Sequence, residues 1–163
     1  MKKIVFIMAL AISALTIQSC STQNAASTPA TVRRGSVVGN WVLNDITFEG
    51  IPAQAVRGLF GENSYACFTG STWNLTNSGN GSYTLTGGTG CASGTQNIFW
   101  SASPADQTFQ FKKLMEGQKA KDIADGYRLI LVSADKQSMV LKSPIEYGSA
   151  TANVVLNFTR AAK

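Results

Sequence analysis

Histidine is absent from the 163 residues of this chain, charged residues make up only 14% of it, and acids number nine. Without imidazole there is no Ser-His-Asp or Cys-His nucleophile and no histidine metal site. Cysteine is scarce, with three residues, and proline occurs four times. The longest apolar run, Ile4 to Ile17, spans 14 residues before Gln18 interrupts it, which is short of the roughly 20 that a membrane-spanning helix needs. Gly87-Gly88-Thr89-Gly90 is not followed by Gly-Lys-Ser/Thr, so it lacks the chemistry of a phosphate loop and reads as a turn beside Cys91. No motif interleaves basic and aromatic residues, and the net charge of +5 falls to +3 without Lys2 and Lys3. Nothing here calls for nucleic acid.

What is present begins with export. Lys2 and Lys3 form a positive start, the 14-residue apolar run follows, and small Ser19 precedes Cys20, the order of a cleaved secretory signal over residues 1–19. Ile17-Gln18-Ser19-Cys20 resembles the lipobox of bacterial lipoproteins, which implies that Cys20 becomes the lipidated first residue of a mature chain of 144 residues. The alternative is an ordinary secretory signal with a chance cysteine. By resemblance to the sorting rules of some Gram-negative bacteria, Ser21 implies the outer membrane, with the periplasmic or outer face open. Residues 20–36 are small and polar and read as a tether of roughly 20 Å root-mean-square span. Residues 37–163 are the size of one domain. With Cys20 acylated, Cys67 and Cys91 are the remaining thiols, and in an oxidising compartment they can pair in one way only. Two buried free thiols are the other reading.

From Val37 onward the pattern has period 2, broken by glycine and asparagine. Trp73-Asn74-Leu75-Thr76 and Tyr83-Thr84-Leu85-Thr86 alternate around Asn77-Ser78-Gly79-Asn80-Gly81, which predicts a hairpin. Runs at 39–48, 97–101, 108–112, 127–132, 138–142 and 153–159, with a short strand at 64–68, bring the expected count to eight or nine. An all-β antiparallel barrel or sandwich follows. Residues 51–61 predict a short helix, Pro52 near its start and Gly61 at its end, with Val56, Leu59 and Phe60 at i, i+3, i+4 on one face. Residues 114–126 read as a solvated hairpin connection of mixed charge.

Gly39-Asn40-Trp41 opens the first strand, and Phe158-Thr159-Arg160 closes the last. This pair resembles the lipocalin family, and most nearly the small lipocalin-like domains of exported bacterial lipoproteins. The resemblance implies an up-and-down, eight-stranded barrel in which the Arg160 guanidinium lies over the Trp41 indole at the closed end. Parity agrees, because Val154, Leu156, Phe158 and Arg160 share one strand face. It further implies a small hydrophobic ligand inside the barrel, lined by Trp73, Tyr83, Phe99, Phe109, Phe111, Leu129, Met139 and Leu141. Val56, Leu59 and Phe60 would form the lid, with Tyr83 or Arg128 orienting the ligand. The same residues could instead fill the barrel, since eight strands enclose a space just wide enough for side chains. Three functions therefore stand: a ligand-binding module, a solid barrel that binds a protein partner, and an enzyme using acids such as Glu49, Glu62, Asp122, Asp125 or Glu146, whose spacing selects no pair. The first is expected, as a membrane-anchored monomer without cofactor, metal or catalysis.

Overall fold

The computed structural model describes residues 32–162; the signal, Cys20 and most of the tether lie outside the described residues. Eight antiparallel strands close into a barrel in which each strand pairs with its neighbours in sequence, and the last pairs with the first. The strands are β1 (Gly39–Glu49), β2 (Thr72–Leu75), β3 (Asn80–Gly88), β4 (Cys91–Ser103), β5 (Thr108–Leu114), β6 (Tyr127–Ala134), β7 (Ser138–Tyr147) and β8 (Ala150–Arg160). This is the lipocalin-like architecture that the sequence implied, and closure leaves no strand with a neighbour on one side only, although the longer strands run past their partners, as β5 does beyond Phe111.

Alternation fixes the core. Trp73 and Leu75 on β2, Tyr83 and Leu85 on β3, Phe109 and Phe111 on β5, and Met139 and Leu141 on β7 all face inward and are buried. On β1 the inward parity changes after Leu43, where a bulge skips a residue and Asp45 pairs with Asn157, so Ile46 and Phe48 continue the inner row. The expected hairpin is present: Thr76 to Gly79 turn the chain, and Trp73 pairs with Tyr83.

One end of the barrel is sealed by the chain's approach to it. A single helical turn, α1 (Arg34–Val37), lies beneath β1, with Val37 fully buried and its carbonyl accepting from Trp41 Nε1 at 2.8 Å. Arg34 donates to the Asn77 carbonyl at 3.0 Å and to Asn77 Oδ1 at 2.8 Å, and its guanidinium sits 4.8 Å from the Trp100 ring centroid. Trp41 pairs with Arg160 across β1 and β8, and the guanidinium lies 4.3 Å from the indole centroid while donating to the Val38 carbonyl at 2.8 Å. The stack expected from sequence is therefore formed.

The other end is covered by residues 50–71, and here the local expectations need correction. The predicted helix over 51–61 shrinks to one 3-10 turn, Ala53–Ala55. Leu59 and Glu62 instead exchange both backbone hydrogen bonds across a two-residue turn in which Phe60 (φ 49°) and Gly61 (φ 83°) take left-handed conformations. A Cβ at Gly58 would run into the Glu62 carbonyl, so glycine permits this close return. The segment 64–68 is a 3-10 turn rather than a strand, with the Ser64 hydroxyl accepting from the Ala66 amide at 3.2 Å.

Candidate functional site

The barrel interior was the expected site, and its lining is mostly where the sequence put it. Trp73, Tyr83, Phe109, Phe111, Leu129, Met139 and Leu141 all point inside and are at most 2% exposed. Phe99 does not: β4 buries Ile98 and Trp100, so Phe99 lies on the outer wall, 36% exposed. Sequence reasoning missed Trp100 because Ile98-Phe99-Trp100 is apolar throughout and leaves the parity of that stretch undecided. The signal that could have found it is Ser101 and Asn97, polar neighbours that share the outward parity of Phe99.

These side chains pack on one another. Trp73 meets Tyr83 at 4.9 Å between centroids, Phe111 edge-on at 5.6 Å and Phe158 edge-on at 5.7 Å, while Trp100 stacks on Phe109 at 5.8 Å. From the lid, Phe60 inserts edge-on against Phe68, Phe111 and Tyr127 at 5.1 to 5.3 Å. Val56 and Leu59 are buried beside it. They cover the barrel as expected, though through a turn and not a helix face. Cys67 and Cys91 are joined, with alpha carbons 5.4 Å apart, which ties the lid to the start of β4. The lid is thus a plug, packed on the aromatic core and covalently fastened.

Under the plug lies one polar cluster. Lys113 continues the inward parity of Phe109 and Phe111, pairs with Glu62 of the lid at 3.2 Å, and places its ammonium 5.7 Å from the Tyr83 ring centroid. The Tyr83 hydroxyl is buried with no hydrogen-bond partner among the described residues. Burial pushes its ionisation above the ordinary phenol value, with the nearby Lys113 ammonium pulling the other way. For Lys113, burial works against the charge, but Tyr83 and Glu62 outweigh it and the net shift is upward. Glu62 is thereby committed to a lysine, as is Glu49, which binds Lys142 at 2.8 Å on the outer face. Among the described residues no group of three or more acids and cysteines is arranged to hold a metal ion.

Open space is found elsewhere among the described residues. A cavity of about 570 Å3 lies on the outer wall over β4, β5 and β6. Its floor follows from register: Phe99 sits opposite Lys112, and Ser101, Gln110 and Arg128 form one cross-strand row. Its side wall is formed by Ala120, Lys121, Ala124 and Gly126, part of the connection that the sequence read as solvated; the segment is largely exposed, as expected, and runs back along the barrel. Lys112 holds it there, donating from Nζ to the Ala120 carbonyl at 3.2 Å and the Ile123 carbonyl at 2.5 Å. The cavity extends to the end of the β5–β6 pairing, where Phe111 and Tyr127 both line it. A second concavity of about 290 Å3 lies outside β1–β3 along Asn40, Thr72, Asn74, Ser82 and Thr84. Asn74 already donates to Asn40 there, at 2.5 Å.

No family model and no curated protein matches the chain. Among solved structures, apocrustacyanin C2 is similar at 15% sequence identity, over 84% of this chain and 66% of that one, with a TM-score of 0.44. The chain therefore spans just under two thirds of the length of that protein.

Proposed function

We propose that this chain is a lipid-anchored, non-catalytic binding module of the cell envelope that takes a small, largely apolar ligand in the outer-wall pocket of β4–β6. One observation carries the reading. The interior expected to hold a ligand is occupied by its own aromatic side chains and plugged, whereas the wall pocket, at about 570 Å3, falls in the size range of small-molecule sites, roughly 300 to 1,000 Å3. Its apolar surface comes from Phe99, Ala120 and Ala124, and its polar groups from Ser101, Gln110 and Arg128. On this reading Phe99 and Arg128 would face the ligand from the outer wall, and not from the interior where the sequence expected them.

Anchoring through Cys20 is supported by the residue pattern of the first 20 positions. The chain meets the barrel at the closed end, beside α1, so the tether expected from composition would leave from there. The lid end would then face away from the bilayer.

The test is binding of N-phenyl-1-naphthylamine, a neutral apolar fluorophore, to the full chain and to two variants. Phe99→Ala removes the pocket's aromatic floor, and Ala124→Trp fills the space beneath the side wall. Micromolar binding that is weakened by both supports the reading. If the probe binds and neither variant matters, the wall pocket is not the site. Absence of binding at micromolar concentrations favours the solid barrel that recognises a protein partner, which the filled core also suits.

A further inference from the structure

The residues that line the wall pocket carry charge of one sign, while Asp122 and Asp125 of the same 120–126 segment are exposed and lie outside the lining. Lys112, Lys121 and Arg128 line the pocket, Ser101 and Gln110 lie among them, and no carboxylate does. Lys112 is spent on the Ala120 and Ile123 carbonyls, where it shapes the site. Lys121 and Arg128 are exposed cations, and the ion pairs among the described residues are Lys113 with Glu62 and Lys142 with Glu49, neither of them here. Beside these cations the Phe99 ring stands 36% exposed on the sheet, with Ala120 and Ala124 on the facing wall. The ring is left against water there, and the two cations are hydrated but have no ion-pair partner among the described residues. One kind of molecule complements both: an apolar body with an anionic group.

We infer that the pocket takes an aromatic or alkyl anion, its body against Phe99, Ala120 and Ala124 and its charge between Lys121 and Arg128. This rests on the wall pocket being the ligand site. The guanidinium of Arg128 offers a planar fork of donors suited to a carboxylate or other oxyanion, and Gln110, its cross-strand partner, adds an amide in the same row. Residues 120–126 bring Lys121 over the floor, so the fold-back maintained by Lys112 builds the anion site as well as the wall.

The experiment compares two fluorophores that share one body, 8-anilinonaphthalene-1-sulfonate and neutral N-phenyl-1-naphthylamine, on the soluble Cys20→Ser chain, otherwise intact. The sulfonate should bind about tenfold more tightly at low salt, equivalent to about 1.4 kcal/mol, and the advantage should shrink in 0.5 M sodium chloride, where exposed charges are screened within a few ångströms. Arg128→Gln and Lys121→Gln should each lower sulfonate affinity several-fold and leave the neutral probe unchanged. Lys136→Gln, in the distant β6–β7 turn, should change neither. Lys121, Arg128 and Lys136 are exposed, so these variants keep the fold, which near-ultraviolet circular dichroism verifies. Equal affinity for the two probes, or indifference of the sulfonate to both variants, overturns the anion inference while the pocket reading stands. Loss of neither probe on Phe99→Ala overturns the pocket reading itself. Octanoate and phosphatidylglycerol vesicles then compete against the bound sulfonate: displacement by the first identifies a free carboxylate, and by the second alone a lipid headgroup.

Discussion

Alanine at Gly39 should damage the closed end more than loss of the arginine it adjoins. Gly39 holds a φ of 140°, and a Cβ there would lie 2.7 Å from Cζ of Arg160. The guanidinium would have to leave the Trp41 ring, 4.3 Å away, and the Val38 carbonyl, 2.8 Å away. Arg160 is only partly buried, so losing the stack and the hydrogen bond together costs about 2 kcal/mol. The backbone strain of a side chain at that φ adds about 1.5 kcal/mol. Arg160→Ala is therefore expected to cost about 2 kcal/mol, and Gly39→Ala, which suffers both effects, about 3.5 kcal/mol. In the double variant the arginine is already gone, so the cost stays at about 3.5 kcal/mol and a coupling of about 2 kcal/mol appears in the cycle. For a domain this size, with an unfolding entropy near 0.27 kcal/mol/K, those losses lower Tm by about 7 °C for Arg160→Ala and about 13 °C for the other two. Urea unfolding followed by tryptophan emission measures all four proteins on one axis. Strict additivity, with the double variant near 5.5 kcal/mol, would show that the new methyl never meets the guanidinium and would sink the reasoning.

Reduction of Cys67–Cys91, or replacement of both by serine, opens a loop of 24-residue separation and should cost about 3.5 kcal/mol on the chain-entropy account; an unchanged urea midpoint refutes it. Tyr83 and Lys113 both have ionisations raised in the folded state, so the stability they contribute is complete below the unfolded values near pH 10 and is lost as pH rises through the folded ones. Tyr83→Phe should flatten that alkaline decline, and an identical slope counts against the buried phenol as its source. Cys20→Ser should move the protein from the membrane to the soluble fraction and remove any fatty-acid label; retention in the membrane with unchanged mass defeats the anchor.

Where local pattern and tertiary placement agreed, the sequence could be read. The hairpin of Trp73 and Tyr83 has unbroken alternation on both arms and glycine at its turn, and register followed. Arg160 shared the parity of Phe158, and closure of the barrel put it beside Trp41. The lid defeated the same method because Val56, Leu59 and Phe60 have helical spacing without helical backbone. Gly58 and Gly61 bracket a return that needs positive φ at Phe60, and that cost is offset only when the Phe60 ring enters the aromatic core, a contact with residues far along the chain. Ser64–Phe68 failed for a related reason: apolar residues there point into the barrel mouth from a turn, and Cys67 must reach Cys91. The 120–126 segment is largely exposed, as its mixed charges suggested, but its course along the barrel wall was not legible. Its position is set by Lys112, whose backbone acceptors no side-chain pattern reveals.

The displacement of the candidate site from the inside of the barrel to the outside follows from volume. An eight-stranded barrel has room for its own inward side chains or for one small ligand in place of some of them. Here the inward side chains include three tryptophans, and the lid adds Phe60 and Phe68, each aromatic burying on the order of 150 to 250 Å2. A ligand entering the interior would have to expel the plug, give up that burial and break the contact of Glu62 with Lys113, all against a disulfide that holds the plug at Cys67. Binding at the wall requires none of this. There the sheet is already formed, the side wall is already fixed by Lys112, and the ring of Phe99 is already turned outward by the parity that sends Trp100 in. The residue that keeps the core full is thus next in sequence to the one that makes the outer site apolar.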